Sequence, residues 1–167
     1  SHYIKYFKDK IKNKIYYEGD KGHKLFKADY TKLKLRPELE KIIKNRISIL
    51  NNNYISVHVR RTDHLPSREK DRTPDEEFFK FINKFTNNKN LYIATDNLET
   101  FNLYYNKYNN RIKFKFPERE LFNGKRKTEL KDAVIDIYMC VNSDFFMGSY
   151  YSSFSDLIKE LRKNKKI

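Results

Sequence analysis

The chain has 167 residues, with 36 Lys and Arg against 22 Asp and Glu and a net charge of +14. That length holds one domain with a real core and is short for two. A single cysteine, Cys140, excludes an internal disulfide, and no apolar run approaches the ~18 residues of a membrane span. The charge implies an anionic partner without saying which one. The excess is uneven: residues 1–50 carry 14 basic and six acidic side chains, so much of it lies at the N-terminal end. Four histidines and one cysteine, with no C-x-x-C or H-x-x-x-H spacing, argue against a zinc site. With no signal-peptide pattern the chain reads as a soluble domain whose location the sequence does not give.

Ile4, Phe7, Ile11 and Ile15, separated by lysines, predict a basic amphipathic helix over 3–16. Gly19 to His23 reads as a loop and Lys24 to Lys34 as a short extended piece. Pro37 suits a first helical position, and Leu39, Ile42, Ile43, Ile47 and Leu50 line one face up to the asparagines 51–53. Tyr54 to Asp63 is then a strand that ends in charge. Ile55, Val57 and Val59 alternate with Ser56, His58 and Arg60, which places the two sets on opposite faces. Arg60 and Arg61 together offer up to ten N–H donors and a charge that cannot be lost, which suits phosphate oxygens. The plainer reading is a surface arginine pair beside a satisfied strand histidine.

His64 to Arg72 is a polar loop. Thr73-Pro74-Asp75-Glu76 predicts a helix start with Thr73 as the cap, buried through Phe78, Phe81, Ile82 and Phe85. Leu91 to Thr95 is a second strand ending at Asp96, and Leu98, Phe101, Tyr105 and Tyr108 mark the next helix. Ile112 to Phe116 predicts a third strand and Pro117 to Lys127 a polar loop. Thr128 caps a helix with Leu130, Ala133, Val134, Ile137, Tyr138 and Val141 on its apolar face; Asp144 to Gly148 is a fourth strand. Ser152 or Ser153 caps a last helix, buried through Leu157, Ile158 and Leu161, and the basic tail Arg162 to Lys166 should fray.

Strand and helix alternate four times, which predicts a parallel α/β sheet with helices on both faces. Right-handed crossovers put all the strand ends on one edge, where such sheets bind ligands. The polar clusters Arg60 to Asp63, Thr95 to Asn97 and Ser149 to Ser155 all fall on that edge. The serine turn can hold a phosphate on hydroxyls and helix N–H groups, or it can be ordinary capping. Asp136 interrupts an apolar run and needs a partner, either a base edge with two N–H donors or a nearby lysine or arginine.

V-H-V-R-R-T-D at 57–63 resembles the H-x-R-R-x-D signature of GDP-fucose-dependent fucosyltransferases, especially the core α1,6-fucosyltransferases and rhizobial nodulation fucosyltransferases. L-Y-I-A-T-D-N at 91–97, V-I-D-I-Y-M-C-V-N-S-D-F-F-M-G-S at 134–149, Y-Y-S-S-F-S-D-L-I-K-E-L at 150–161 and L-R-P-E-L-E at 35–40 resemble further blocks of that family, in order. The resemblance implies a Rossmann-like domain over 35–167, equivalent to the C-terminal donor half of a GT-B glycosyltransferase. Residues 1–34 are then a basic remnant or linker of an acceptor domain, and the chain is a donor-domain fragment, a reduced enzyme, or a nucleotide-sugar-binding domain with a separate acceptor-binding domain as its partner. It implies GDP-fucose as donor substrate, a glycan hydroxyl as acceptor, and inverting transfer with no metal or other cofactor. The sequence agrees in containing no D-x-D.

Carried over by position, Arg60 holds the β-phosphate and Arg61 supports it or the local fold. His58 and Asp136 read the guanine edge, Asp96 lies by the nucleoside, and Asp63 belongs to the substrate site. Ser152 and Ser153 hold the pyrophosphate, although the family has glutamine where Ser153 stands. Glu69 matches the glutamate proposed as base on the acceptor hydroxyl, and His64 replaces the lysine beside the signature. Two other classes stay open: a non-catalytic nucleotide-sugar-binding module, and a basic α/β domain that binds nucleic acid through its cations, Tyr and Phe. Against the latter, the aromatics fall on predicted core faces and no RNA- or DNA-binding motif occurs.

Overall fold

The computed structural model describes residues 34–62, 72–85, 88–116, 121–122, 125–126 and 130–164. The predicted N-terminal helix, the extended piece up to Leu33, Asp63, His64, Glu69 and the Thr128 cap lie outside the described residues. Helix α1 (Pro37–Ile49) starts on its proline, with Glu38 and Glu40 in the first turn and Arg46 in the last, each at the favourable end of the helix dipole. Asn51 and Asn52 then take left-handed backbone angles (φ 55° and 52°), which asparagine tolerates better than most residues, and turn the chain into β1.

Strand β1 (Tyr54–Val59) is the middle of a three-stranded parallel sheet. On one side it pairs with β2 (Asn90–Thr95), Tyr54 opposite Asn90 and Val59 opposite Thr95. On the other it pairs with β5 (Phe145–Gly148), Ile55 opposite Phe145 and His58 opposite Gly148. All six β1 residues are buried, because helices cover both faces as a central parallel strand requires. Ile55, Val57 and Val59 pack with α2 (Asp75–Asn83) and α3 (Leu98–Tyr108) through Phe78, Ile82, Phe101 and Tyr104. Full burial of a side chain such as Phe78 or Ile82 contributes about 1.5–3 kcal/mol. Tyr54 packs on the other face with α1, α4 (Leu130–Asn142) and α5 (Ser153–Asn164) through Ile43, Met139 and Ile158.

The polar alternates of β1 are therefore buried and must be satisfied. The Tyr54 hydroxyl donates to the Met139 carbonyl (2.7 Å), and Ser56 Oγ bonds Ser143 Oγ (2.7 Å). The phenol of Tyr54 is pushed up by that burial.

The α/β class and the parallel sheet flanked by helices stand as read from the pattern, with several local corrections. Ile112–Phe116 is not a strand. The Leu91 N–H donates to the Arg111 carbonyl (2.9 Å), and beyond that point the segment is held by its side chains. Ile112 enters the core under α2 and α3, while Phe114 packs on Tyr92 and beneath the Arg46 guanidinium (5.2 Å). Side chains that go to different layers wrap the edge of β2 instead of extending its ladder. The predicted polar loop contains a short antiparallel pair, β3 (Leu121–Phe122) and β4 (Lys125–Arg126).

Along α3, Phe101 and Tyr108 are buried as expected, but Leu98 and Tyr105 are exposed and Tyr104 is fully buried in their place. The hydroxyl of Tyr104 donates to Asp75 (2.9 Å), so a polar anchor decides which ring turns inward. Thr73 does not cap α2, whose N-cap is Pro74; its hydroxyl accepts the Tyr150 N–H instead (2.7 Å). Arg162 does not fray. Its guanidinium donates to the Cys140, Val141, Ser143 and Asp144 carbonyls, closing the C-terminal end of α4. Burial among those groups lowers its pKa.

Candidate functional site

The three parallel strands end on one edge, at Val59, Thr95 and Gly148, and the residues that follow them form a continuous rim. Hydrogen bonds across the strand ends fix it. The Thr95 hydroxyl donates to the Val59 carbonyl (2.6 Å). The Ser149 N–H and hydroxyl both donate to the His58 carbonyl (3.0 Å each), and the Ser149 oxygen accepts the Arg60 N–H (2.9 Å). The backbone of Arg60 is thus held at the centre of the rim, between the ends of β2 and β5.

Asp96 organises the exit from β1. One carboxylate oxygen accepts the Arg61 N–H (2.8 Å); the other accepts the Thr62 N–H (3.0 Å) and the Thr62 hydroxyl. A carboxylate that takes three donors from one turn fixes that turn's shape. Asp96 touches the β1 exit directly, and through it sets where Arg60 and Arg61 leave the sheet.

The two adjacent arginines part company. Arg60 sits half-buried on the rim. The side chain of Arg61 is only 3% exposed and turns beneath the rim, where it bonds the Asp75 carboxylate (2.6 Å). Its Nη1 donates to the Arg60 carbonyl (3.0 Å), and the guanidinium carbon lies over the Phe78 ring, 6.0 Å from its centroid. Its Nε has no hydrogen-bond partner among the described residues. Tyr104 shares Asp75 with Arg61, and burial followed by that carboxylate pushes its phenol up. Arg61 therefore acts on the rim by tying the β1 exit to α2.

On the α4–α5 face of the sheet, His58 is 7% exposed. Its Nδ1 bonds Ser155 Oγ (2.7 Å), and its ring lies against Phe154, centroids 4.6 Å apart. That contact depends on Gly148. A Cβ at position 148 would stand 2.5 Å from both Cβ and Oγ of Ser155, so only glycine lets the start of α5 come this close to the sheet. Ser152 is buried and caps α5: its hydroxyl accepts the Ser155 N–H (3.3 Å) and its carbonyl the Asp156 N–H (2.9 Å). Ser153 is exposed on the first turn. The Ser155 and Asp156 N–H groups are thus taken up by Ser152 within the cap, and the positive end of the α5 dipole lies at this turn.

Asp136 accepts the Tyr92 hydroxyl (2.7 Å), and burial, with this carboxylate second, drives the Tyr92 phenol far up. Both line a cleft of about 210 Å³ at the edge of β2, with Arg46, Phe114, Phe116 and Asp132. His58 shares the sheet face with Tyr92 but does not line that cleft. Of the residues expected in the site, the structure gathers His58, Arg60, Asp96, Ser152 and Ser153 at one rim, places Asp136 in the neighbouring cleft, and turns the Arg61 side chain inward. Asp63 and Glu69 lie outside the described residues.

Sequence reasoning missed Gly148, Ser149, Ser155 and Asp75. The serine run was its own signal for the second and third. Asp75 was hidden because its partner Arg61 is 14 residues away. Among the described residues there is no cluster of three or more metal-ligating side chains, and no helix is long and apolar enough to cross a membrane.

Comparison with known families matches residues 2–165 to a family described as GDP-fucose protein O-fucosyltransferase. No curated protein matches the chain.

Proposed function

The chain belongs to the GDP-fucose protein O-fucosyltransferase family, a family of glycosyltransferases, and from that premise we propose that its rim binds GDP-fucose for metal-independent, inverting transfer to an acceptor hydroxyl. What supports the reading is that the end of β1 is tied to the turn that leads into α5: the Arg60 N–H donates to Ser149, four residues before the helix begins at Ser153. A diphosphate seated there takes charge-assisted hydrogen bonds from the Arg60 side chain and dipolar ones from the first turn of α5. The Ser153 hydroxyl adds a further donor. Ser152 acts from beneath as the cap that sets the turn. The guanine base lies toward His58 and Asp136, with the nucleoside passing Asp96.

In the transfer the acceptor oxygen attacks the anomeric carbon of fucose from the face opposite the phosphate. The bond from that carbon to the β-phosphate oxygen breaks, and its electron pair leaves on GDP. The proton of the acceptor hydroxyl goes to a carboxylate, for which Glu69 is the candidate. Arg60 and the helix N–H groups stabilise the charge that develops on the leaving diphosphate, and losing one such donor typically costs about 10²–10³ in rate. Arg61 and Asp75 hold the β1 exit so that Arg60 meets the phosphate without rearranging. Asp63 continues the signature beyond that exit.

The expected acceptor is a glycan hydroxyl. The family's description favours a second reading, in which the hydroxyl belongs to a serine or threonine of a protein. Arg60→Ala should abolish transfer and weaken GDP binding while leaving the thermal transition in place. A thermal-shift panel of GDP, GDP-fucose, GDP-mannose, UDP and RNA should respond to the guanosine diphosphates. Stabilisation by RNA with no response to GDP would overturn the assignment.

A further inference from the structure

Tyr151 is the most exposed large hydrophobic side chain among the described residues, at 76%. Its backbone is left-handed (φ 51°). Asn51 and Asn52 share that conformation and suit it, whereas a bulky ring raises its cost, so Tyr151 is the strained member of the three. A solvent-exposed aromatic in a strained position contributes nothing to the core that would compensate the strain.

Both neighbours of Tyr151 are tied down. Before it, the Tyr150 N–H donates to Thr73 and its hydroxyl to the Glu77 carboxylate, pinning the turn to the start of α2. After it, Ser152 is buried in the cap of α5. The ring is thus presented on a turn whose two ends are fixed. That turn runs from Ser149, which holds the Arg60 backbone, to the first residues of α5. These are the two groups to which the reading above assigns the diphosphate. The hexose hanging from the β-phosphate is the next part of the donor outward from them.

We propose that Tyr151 is a specificity-determining residue that stacks its ring on the apolar C–H face of the transferred sugar. This inference rests on the donor site proposed above. A 6-deoxyhexose presents a methyl group where an ordinary hexose has a hydroxymethyl group, which suits an aromatic wall. The strain at Tyr151 is then retained because the ring is needed there.

Calorimetry of the purified chain with GDP and with GDP-fucose tests it, on wild type, Tyr151→Ala, Tyr151→Asn and Tyr151→Phe. The alanine and asparagine variants should bind GDP within about twofold of wild type and GDP-fucose about 5–10-fold more weakly. Tyr151→Phe should keep both affinities. Tyr151→Asn should also melt higher than Tyr151→Ala, since asparagine accepts the left-handed backbone, which separates loss of the ring from loss of the fold. Unchanged GDP-fucose affinity in the alanine and asparagine variants, or equal weakening of GDP and GDP-fucose, overturns the role given to Tyr151. Failure of the wild type to bind GDP overturns the donor site itself, and that result is read independently of any Tyr151 variant.

Discussion

Gly148→Ala adds one methyl group at the place where the sheet, α5 and His58 converge. The new Cβ would lie 2.5 Å from Cβ and Oγ of Ser155. Non-bonded carbons sit about 3.5–4.0 Å apart at their optimum, so the two elements must separate by roughly 1 Å or more. Ser155 is fully buried and has no room to swing aside. Overpacking of this kind costs about 1–3 kcal/mol. In a domain of this size each kcal/mol lowers the melting temperature by about 2–4 °C, so a cost near the middle of that range gives a drop of roughly 4–8 °C. The separation also lengthens the Ser155 to His58 hydrogen bond, now 2.7 Å, and draws the N-terminus of α5 away from Arg60. Differential scanning calorimetry and GDP titration of Gly148→Ala, Ser155→Gly and the double variant check this. Ser155→Gly removes both clashing atoms, so the double variant should be more stable than the sum of the single costs allows, by about 0.5–3 kcal/mol. A Gly148→Ala protein that melts like wild type, or a double variant whose costs simply add, would refute the close approach of α5 to the sheet.

Other consequences follow from the buried polar groups. Arg61→Ala leaves Asp75 without its cation beneath the rim and should destabilise by about 3–5 kcal/mol, measured by urea denaturation; a loss under about 1 kcal/mol would place Arg61 in solvent. Arg162→Ala strips the last carbonyls of α4 of their donor and should cost about 1.5–3 kcal/mol by the same measurement. Tyr54, Tyr92 and Tyr104 keep their phenol protons above the ordinary value of 10.0, chiefly through burial, while the unfolded chain releases them near it. Stability is therefore full below about pH 10 and should fall above it by about 1.4 kcal/mol per pH unit for each phenol. Melting temperatures between pH 8 and pH 11 test this, and Tyr104→Phe should flatten the alkaline limb. Cys140 is buried and its thiol is pushed far up by that burial, so a thiol reagent at pH 8 should label it only after denaturation.

The parallel sheet was legible because the aliphatic residues of β1 alternate, because Leu91 to Ala94 in β2 is a short apolar run between turn signals, and because helical periods lie between the strands. What the pattern did not hold is instructive. Ile112, Phe114 and Phe116 alternate as a strand would, yet the same alternation serves a segment that wraps a sheet edge and sends side chains to different layers. Adjacent Arg60 and Arg61 look equivalent along the chain. Only the arrival of Asp75 and Tyr104 from α2 and α3 separates an arginine on the rim from one beneath it. Thr73 carries the signature of a helix cap, but Tyr150, distant in sequence, offers its hydroxyl a different partner. The serine run was recognisable as a cluster, while the division of labour within it was not. Ser149 holds Arg60, Ser152 caps, Ser155 holds His58 and Ser153 faces outward, and these roles are set by the start of α5 resting on Gly148.

The proposed contact between Arg60 and the β-phosphate can be tested by titrating wild type and Arg60→Ala with GDP and with GMP. Wild type should prefer GDP to GMP by at least about tenfold, and Arg60→Ala should lose most of that preference while binding GMP almost as before. A preference for GDP that survives unchanged in Arg60→Ala would contradict the assignment of the diphosphate to this rim.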